Sequence, residues 1–351
     1  LSKIKVLVVD DSTFMRQVIS DTIQADPSIE VVGTARDGED ALKKISELKP
    51  DVITLDIEMP KMDGLETLAH IMNKFPTPVV MLSAMDKREA DIVVRALELG
   101  AVDFVSKTGG KTATLLDEET QGELIDKIRM AATVDVKRLQ YMPSKKSYVT
   151  RGPRFVTQQF KVITIGASTG GPKAVMKVLS RIPKDVPACF LIVQHMPVGF
   201  TKSFSERLNE VCELPVKEAI DGDEIKPGRI FVAPSDYHMT VEKKDASLLQ
   251  RGIIRLAKTP KVNKVRPSVD VTMTSVAEVY GPDSMGVLLT GMGIDGARGM
   301  LAIKEKNGKT IAEDPSSCVI FGMPKAAIEM GAVDKVVPLD KISDTMLSFL
   351  T

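Results

Sequence analysis

Val162-Ile163-Thr164-Ile165-Gly166-Ala167-Ser168-Thr169-Gly170-Gly171-Pro172 decides the fold of the second half of this chain. The apolar, β-branched run Val162 to Ile165 reads as a buried strand, and Pro172 to Leu179 has the early proline and apolar spacing of a helix start. Between them the Gly-x-Ser-x-Gly turn presents the Ser168 hydroxyl at the end of a strand, which is where a serine nucleophile belongs. Further apolar runs follow at Ala188 to Val193, Ile230 to Ala233, Met285 to Leu289, Lys309 to Ala312 and Val333 to Val336, most of them alternating with helix-like segments. From Pro215 to Leu256 the helical spacing gives out, and short strands with Gly and Pro turns suggest an antiparallel hairpin addition. The expectation is a mainly parallel α/β sheet carrying such a hairpin.

Ligands of parallel sheets bind beyond the carboxyl ends of the strands, so chemistry is sought there. Of the chain's three histidines, His70 falls inside an N-terminal helix and His238 in the hairpin region, whereas His195 immediately follows Ala188 to Val193. Asp295 lies in the loop after Met285 to Leu289. Three strands thus deliver Ser168, His195 and Asp295 to one edge, a nucleophile, base and orienting acid, with backbone N–H groups near Thr169 and Met292 available to an oxyanion. The order Ser, His, Asp differs from the Ser, Asp, His order of α/β-hydrolases. Asp270, at a helix start, is an alternative triad acid, and Asp295 could instead cap the helix after it. A dinucleotide-phosphate loop at Gly166 to Gly171 is disfavoured by the missing G-x-G-x-x-G spacing.

The N-terminal part has a different constellation. Ile4 to Val9, Val31 to Gly33, Val52 to Leu55, Val79 to Leu82 and Ala101 to Val105 alternate with amphipathic segments, the rhythm of a doubly wound (βα)5 sheet. Asp10, Asp11, Asp56, Ser83 and Lys107 all stand at strand ends. Any of them alone could cap a helix or face solvent; together they form a hard-oxygen cage for Mg2+ beside a carboxylate able to accept a phosphoryl group that Lys107 would neutralise. The domains are placed at residues 1–125 and 160–351, with a helix end and linker over 126–159, where Pro143, Gly152, Pro153, serines and basic residues break the periodicity.

Composition excludes several classes. Lys plus Arg and Asp plus Glu number 47 each, so no net field draws the chain to nucleic acid or anionic lipid. Three scattered cysteines fit neither a disulfide framework nor a zinc site and suggest a reducing cytoplasm. A soluble protein is expected, with no membrane-inserted stretch and no signal-peptide layout. The absence of tryptophan argues against a base-stacking platform.

Residues 3 to 125, through Asp10-Asp11, Asp56-Ile57-Glu58-Met59-Pro60-Lys61-Met62-Asp63-Gly64, Ser83-Ala84 and Phe104-Val105-Ser106-Lys107, resemble the receiver domain of two-component response regulators. That resemblance implies Asp56 as phosphoacceptor, Asp11, Asp56 and the backbone carbonyl of Glu58 as Mg2+ ligands, and Ser83 with Phe104 as the switch pair. Receivers usually follow the lysine with proline; Thr108 stands here. The whole chain resembles the chemotaxis methylesterase family through Ile165 to Gly171, Gln194-His195-Met196-Pro197, Arg266-Pro267-Ser268-Val269-Asp270 and Leu289-Thr290-Gly291-Met292-Gly293. It implies Ser168, His195 and Asp295 as triad, Thr169 and Met292 at the oxyanion site, methylated chemoreceptors as substrate, a chemotaxis histidine kinase as phosphodonor and restraint by the receiver until Asp56 is phosphorylated. Glutamine deamidation is open to the same chemistry. The rivals are a non-enzymatic receptor-binding adaptor and, disfavoured by charge, a DNA-binding output.

Overall fold

The computed structural model describes residues 2–84, 87–107, 117–139, 160–243 and 252–350. Thr108 and most of the linker, including Lys145, Lys146, Arg151 and Arg154, lie outside them. The chain divides into two compact units, Leu1–Pro143 and Ser144–Thr351.

In the first unit β1 (Ile4–Val9), α1 (Thr13–Gln24), β2 (Ile29–Ala35), α2 (Gly38–Leu48), β3 (Val52–Asp56), α3 (Gly64–Lys74), β4 (Val79–Ala84), α4 (Lys87–Leu99), β5 (Asp103–Lys107) and α5 (Glu118–Ala131) alternate without interruption. The parallel sheet has the order β2-β1-β3-β4-β5. Val6 to Val9 and Val79 to Met81 are wholly buried, as strands covered by helices on both faces must be. Side chains of Ser12, Asp37, Asp63 and Asp117 accept backbone N–H groups at the starts of α1, α2, α3 and α5. The order reverses between β1 and β3, so the crevice at their carboxyl ends is flanked by Asp10, Asp11 and Asp56.

The second unit comprises β6 (Lys161–Ala167), α6 (Gly171–Leu179), β7 (Ala188–Gln194), α7 (Phe200–Val211), β8 (Val216–Glu218), β9 (Arg229–Val232), β10 (His238–Lys243), β11 (Gly252–Ala257), α8 (Val269–Tyr280), β12 (Ser284–Leu288), α9 (Ala297–Glu305), β13 (Lys309–Glu313), α10 (Met323–Glu329), β14 (Lys335–Val337) and α11 (Leu339–Ser348). Seven strands form one parallel sheet in the order β14-β13-β12-β6-β7-β9-β8. The antiparallel hairpin is narrower than its sequence span suggested. Only β10 and β11 make it, whereas β8 and β9 extend the main sheet. The Ile230-Phe231-Val232 run of β9 is buried throughout, which fits a parallel strand covered on both sides and not a two-stranded surface ribbon. Here the sheet order reverses around β6, with β7 on one side and β12 on the other.

Candidate active site

Register brings two of the expected residues side by side. In β6 and β7 Ala167 pairs with Gln194, so Ser168 and His195 are the next residues out on adjacent strands, and His195 N donates to Ala167 O at 3.1 Å. Neighbouring strands run roughly 4.8 Å apart. Ser168 N donates to Thr290 O at 3.0 Å, tying the Ser168 turn to the loop that follows β12. Gln194, buried at the end of β7, donates through Nε2 to Ser168 O at 2.9 Å and His195 O at 3.1 Å, so one side chain spans both turns. Two glycines permit this closeness. Gly170 adopts φ +74 at the N-terminus of α6, and a Cβ on Gly291 would lie 2.8 Å from Ser168 Cβ.

His195 Nε2 is 2.9 Å from Asp295 Oδ2. Nδ1 is therefore the ring nitrogen left unpaired by Asp295, whereas in chymotrypsin-like triads the carboxylate holds Nδ1. Among the described residues no hydrogen bond joins Ser168 Oγ to His195; such contacts commonly tighten only when substrate binds.

Asp295 does not cap α9, whose N-cap position is held by Gly296 in the left-handed region with no side-chain cap bond. It docks instead on the first turn of α8. Oδ2 accepts Val269 N at 2.7 Å; Oδ1 accepts Ser268 Oγ at 2.7 Å, Asn263 Nδ2 at 2.9 Å and Asp270 N at 3.3 Å. Burial pushes the Asp295 carboxyl up, but His195 and these donors outweigh it and hold the group below the usual aspartate value. Asp270 faces the other way. Its Oδ1 accepts Gly299 N at 2.8 Å and its Oδ2 accepts Asn263 Nδ2 at 2.8 Å, and burial with the neighbouring Asp295 raises its carboxyl. His238 is likewise turned to structure: Nδ1 accepts Ser268 N at 3.2 Å and Nε2 donates to Pro260 O at 3.0 Å. Ser268 and Asn263, which carry much of the Asp295 environment, were not singled out by sequence. Ser268 stood only within the run Arg266-Pro267-Ser268-Val269-Asp270, and Asn263 in no motif.

Thr169 is buried and its carbonyl accepts Thr290 Oγ1 at 3.0 Å, while Met292 is 52% exposed. Both flank Ser168 from the turns on either side. The Met292 N–H has no acceptor among the described residues and is free for a ligand.

In the first unit, carboxylate oxygens of Asp10, Asp11 and Asp56 lie within 4.8 Å of one another. Lys107 Nζ lies 2.8 Å from Asp10 Oδ2 and 2.7 Å from Asp56 Oδ1. Glu58 and Asp11 line the same cavity. An all-oxygen set of this charge suits Mg2+. Burial lifts the Asp56 carboxyl to about 6, Lys107 opposing and Asp10 reinforcing the rise; burial works against the Lys107 ammonium, but the two carboxylates hold it above its ordinary value. The Ser83 hydroxyl points to α4, donating to Glu89 Oε2 at 2.6 Å. Phe104 is buried, and Lys127 sits over its ring at 5.3 Å.

No described helix is long and apolar enough to cross a membrane. Residues 163–346 match the family profile described as CheB methylesterase, and residues 6–117 that of the response regulator receiver domain. The chain is 45% identical over 350 residues to the protein-glutamate methylesterase/protein-glutamine glutaminase of Pyrococcus horikoshii, spanning 98% of this chain and 93% of that one. The Thermotoga maritima protein of the same name is 44% identical over 347 residues, 99% of this chain and 98% of its own. The crystal structure of the Thermotoga maritima CheB methylesterase catalytic domain is 43% identical with a TM-score of 0.52, covering 54% of this chain and 99% of that domain. With a parallel-sheet receiver ahead of a strand-edge Ser, His and Asp constellation, the chain belongs to the CheB methylesterase family of hydrolases.

Proposed function

We propose that the second unit hydrolyses γ-methyl glutamate esters on cytoplasmic chemoreceptor segments through a Ser168 acyl-enzyme, under control of Asp56 phosphorylation in the first. The observation that carries the reading is the 2.9 Å His195 Nε2 to Asp295 Oδ2 bond, made beside Ser168 on the adjoining strand end. Ser168 Oγ attacks the ester carbonyl carbon as His195 Nδ1 takes its proton, and Asp295 stabilises the imidazolium. The tetrahedral oxyanion is received by the Met292 N–H and the Thr169 turn. Collapse breaks the bond to the methoxy oxygen, which leaves as methanol with the proton from His195. Water then attacks the acyl carbon, gives its proton to His195, and releases the glutamate carboxylate while Ser168 regains its hydrogen. An amide in place of the ester would release ammonia by the same steps, which accounts for glutaminase in the names of the relatives.

In the first unit Asp56 would accept a phosphoryl group from a chemotaxis histidine kinase. Asp11, Asp56 and the Glu58 carbonyl would hold Mg2+, which offsets phosphoryl charge when bound. Lys107 balances charge at the same carboxylate, and Ser83 and Phe104 respond, relieving a restraint on the esterase. Methanol release from methylated receptor, compared between the parent and Ser168→Ala with and without a small-molecule phosphodonor and Mg2+, tests both parts. Loss in the variant and stimulation in the parent are expected. Release that survives Ser168→Ala refutes the acyl-enzyme, and no release from a parent that still binds receptor favours the adaptor.

A further inference from the structure

Two buried carboxylates share one amide behind the histidine. Asn263 Nδ2 lies 2.9 Å from Asp295 Oδ1 and 2.8 Å from Asp270 Oδ2. An amide nitrogen has two protons and accepts nothing, so this one spends a proton on each carboxylate. The backbone fixes it there. Val262 and Val265 exchange N–H to carbonyl bonds of 3.1 and 3.0 Å, leaving Asn263 and Lys264 as the central pair of a tight turn with φ of +52 and +66. Both positions need the left-handed region, which asparagine tolerates better than most side chains. One residue therefore makes the turn and supplies the donor.

We propose that Asn263 is a positioning residue of the esterase: its amide separates Asp295 from Asp270 and fixes the rotation of the Asp295 carboxylate whose Oδ2 faces His195. This rests on the reading of His195 and Asp295 as the catalytic base system. The titratable groups around Asp295 are His195 from the end of β7, Asp270 from α8, and His238 of β10 one residue removed through Ser268. Among the described residues no lysine or arginine pairs with either carboxylate. Without the amide, Asp270 Oδ2 and Asp295 Oδ1 lose the donor they share, and neighbouring like charges left so take up a proton more readily. A proton on Asp295 removes the anion that the imidazolium needs. The acidic limb of the rate profile then moves to higher pH.

Asn263→Gly is the informative substitution, since glycine keeps the left-handed turn and deletes only the amide. The expected result in the full chain is a kcat lower by about tenfold, the small end of what a hydrogen bond to a charged group contributes, with KM nearly unchanged. The acidic limb should be displaced upward, and adding Asp270→Asn should return it toward the parent, because Asp270 charge is the cause. Asn263→Asp, which adds a third carboxylate, should move the limb further. A limb that stays with the parent in Asn263→Gly, or that Asp270→Asn fails to restore, overturns the proposal and leaves Asn263 a turn residue. The His195 titration, followed by NMR of the histidine-labelled full chain, reads the same coupling without turnover. If Ser168→Ala retains methanol release, the catalytic assignment falls while that titration still decides whether Asn263 governs the His195 and Asp295 pair.

Discussion

Replacing Asp295 by asparagine should disable the esterase by trapping the wrong histidine tautomer, and the surroundings say which way the new amide must turn. An NH2 at the Oδ1 position would confront the Asn263 Nδ2 and Asp270 N donors, which cannot accept; at the Oδ2 position it confronts only Val269 N and meets His195 Nε2. The amide therefore places its NH2 toward the ring. Nε2 becomes the acceptor, the proton moves to Nδ1, and the nitrogen nearest Ser168 can no longer take a proton. In serine proteases the corresponding trap lowers kcat by ~10⁴. With Nδ1 and Nε2 exchanging roles here, kcat/KM for methanol release should fall about 10³- to 10⁴-fold, or ~4–5.5 kcal/mol on the barrier. Val269 N–H loses its acceptor as well, at about 1–3 kcal/mol of stability. A thermal melt of the variant checks that it stays folded at the assay temperature. A folded Asp295→Asn that keeps more than about a tenth of parental kcat/KM would refute the tautomer argument.

Gly291→Ala would set a Cβ 2.8 Å from Ser168 Cβ and 2.3 Å from Met323 Sδ, and is expected to lower kcat more than it lowers the melting temperature; the reverse ranking counts against close packing of the nucleophile. Burial holds the Glu313 carboxyl above the usual glutamate range although Thr290 N and Ser317 Oγ donate to it at 2.8 and 2.9 Å. Its folded form thus binds a proton more tightly than its unfolded form, so the stability it contributes is present at low pH and lost as pH rises through the raised value. Glu313→Gln should gain on the parent in melting temperature as pH increases, and a pH-independent difference would contradict this. Glu89→Ala releases the Ser83 hydroxyl from its 2.6 Å partner and should speed phosphorylation of Asp56 from a small-molecule donor by roughly fivefold, the worth of one hydrogen bond; an unchanged rate would show that Ser83 does not limit the step.

Strand ends were legible because they are local. An apolar run followed by a polar residue and a helix start marks the edge of a parallel sheet, and Asp10, Asp56, Ser83, Ser168 and His195 each stand at one. What periodicity could not supply was partnership across the chain. Asp295 was preferred in sequence with Asp270 as the alternative; what sequence could not show is that the α8 N-terminus, 25 or more residues earlier, turns its Val269 and Asp270 N–H groups onto Asp295. Asn263 and Ser268 were missed for the same reason, and Gln194 because a buried amide bridging two backbone carbonyls leaves no spacing signature. Strands β8 and β9, at one end of the sheet, fell within the span read as a hairpin region because short runs with Gly and Pro turns look alike whether the partner strand is parallel or not.

The two units hold buried aspartates in opposite ways, and the donors around each explain why. Asp56 has few neutral donors: Ile57 N at 2.9 Å, with Lys107 at 2.7 Å supplying charge from the end of β5 but also serving Asp10. Burial wins, and its carboxyl rises to about 6. Asp295 instead meets five donors on its two oxygens, among them the first N–H groups of α8, whose dipole favours negative charge. Those donors win over burial and fix the carboxylate against rotation as well as against protonation. On the proposed reading, Asp56 as phosphoacceptor needs free lone pairs, whereas Asp295 as orienting anion needs none. The same residue type, at the same kind of sheet edge, is thus assigned by how many hydrogens converge on it, and that count is set by backbone placement far along the chain.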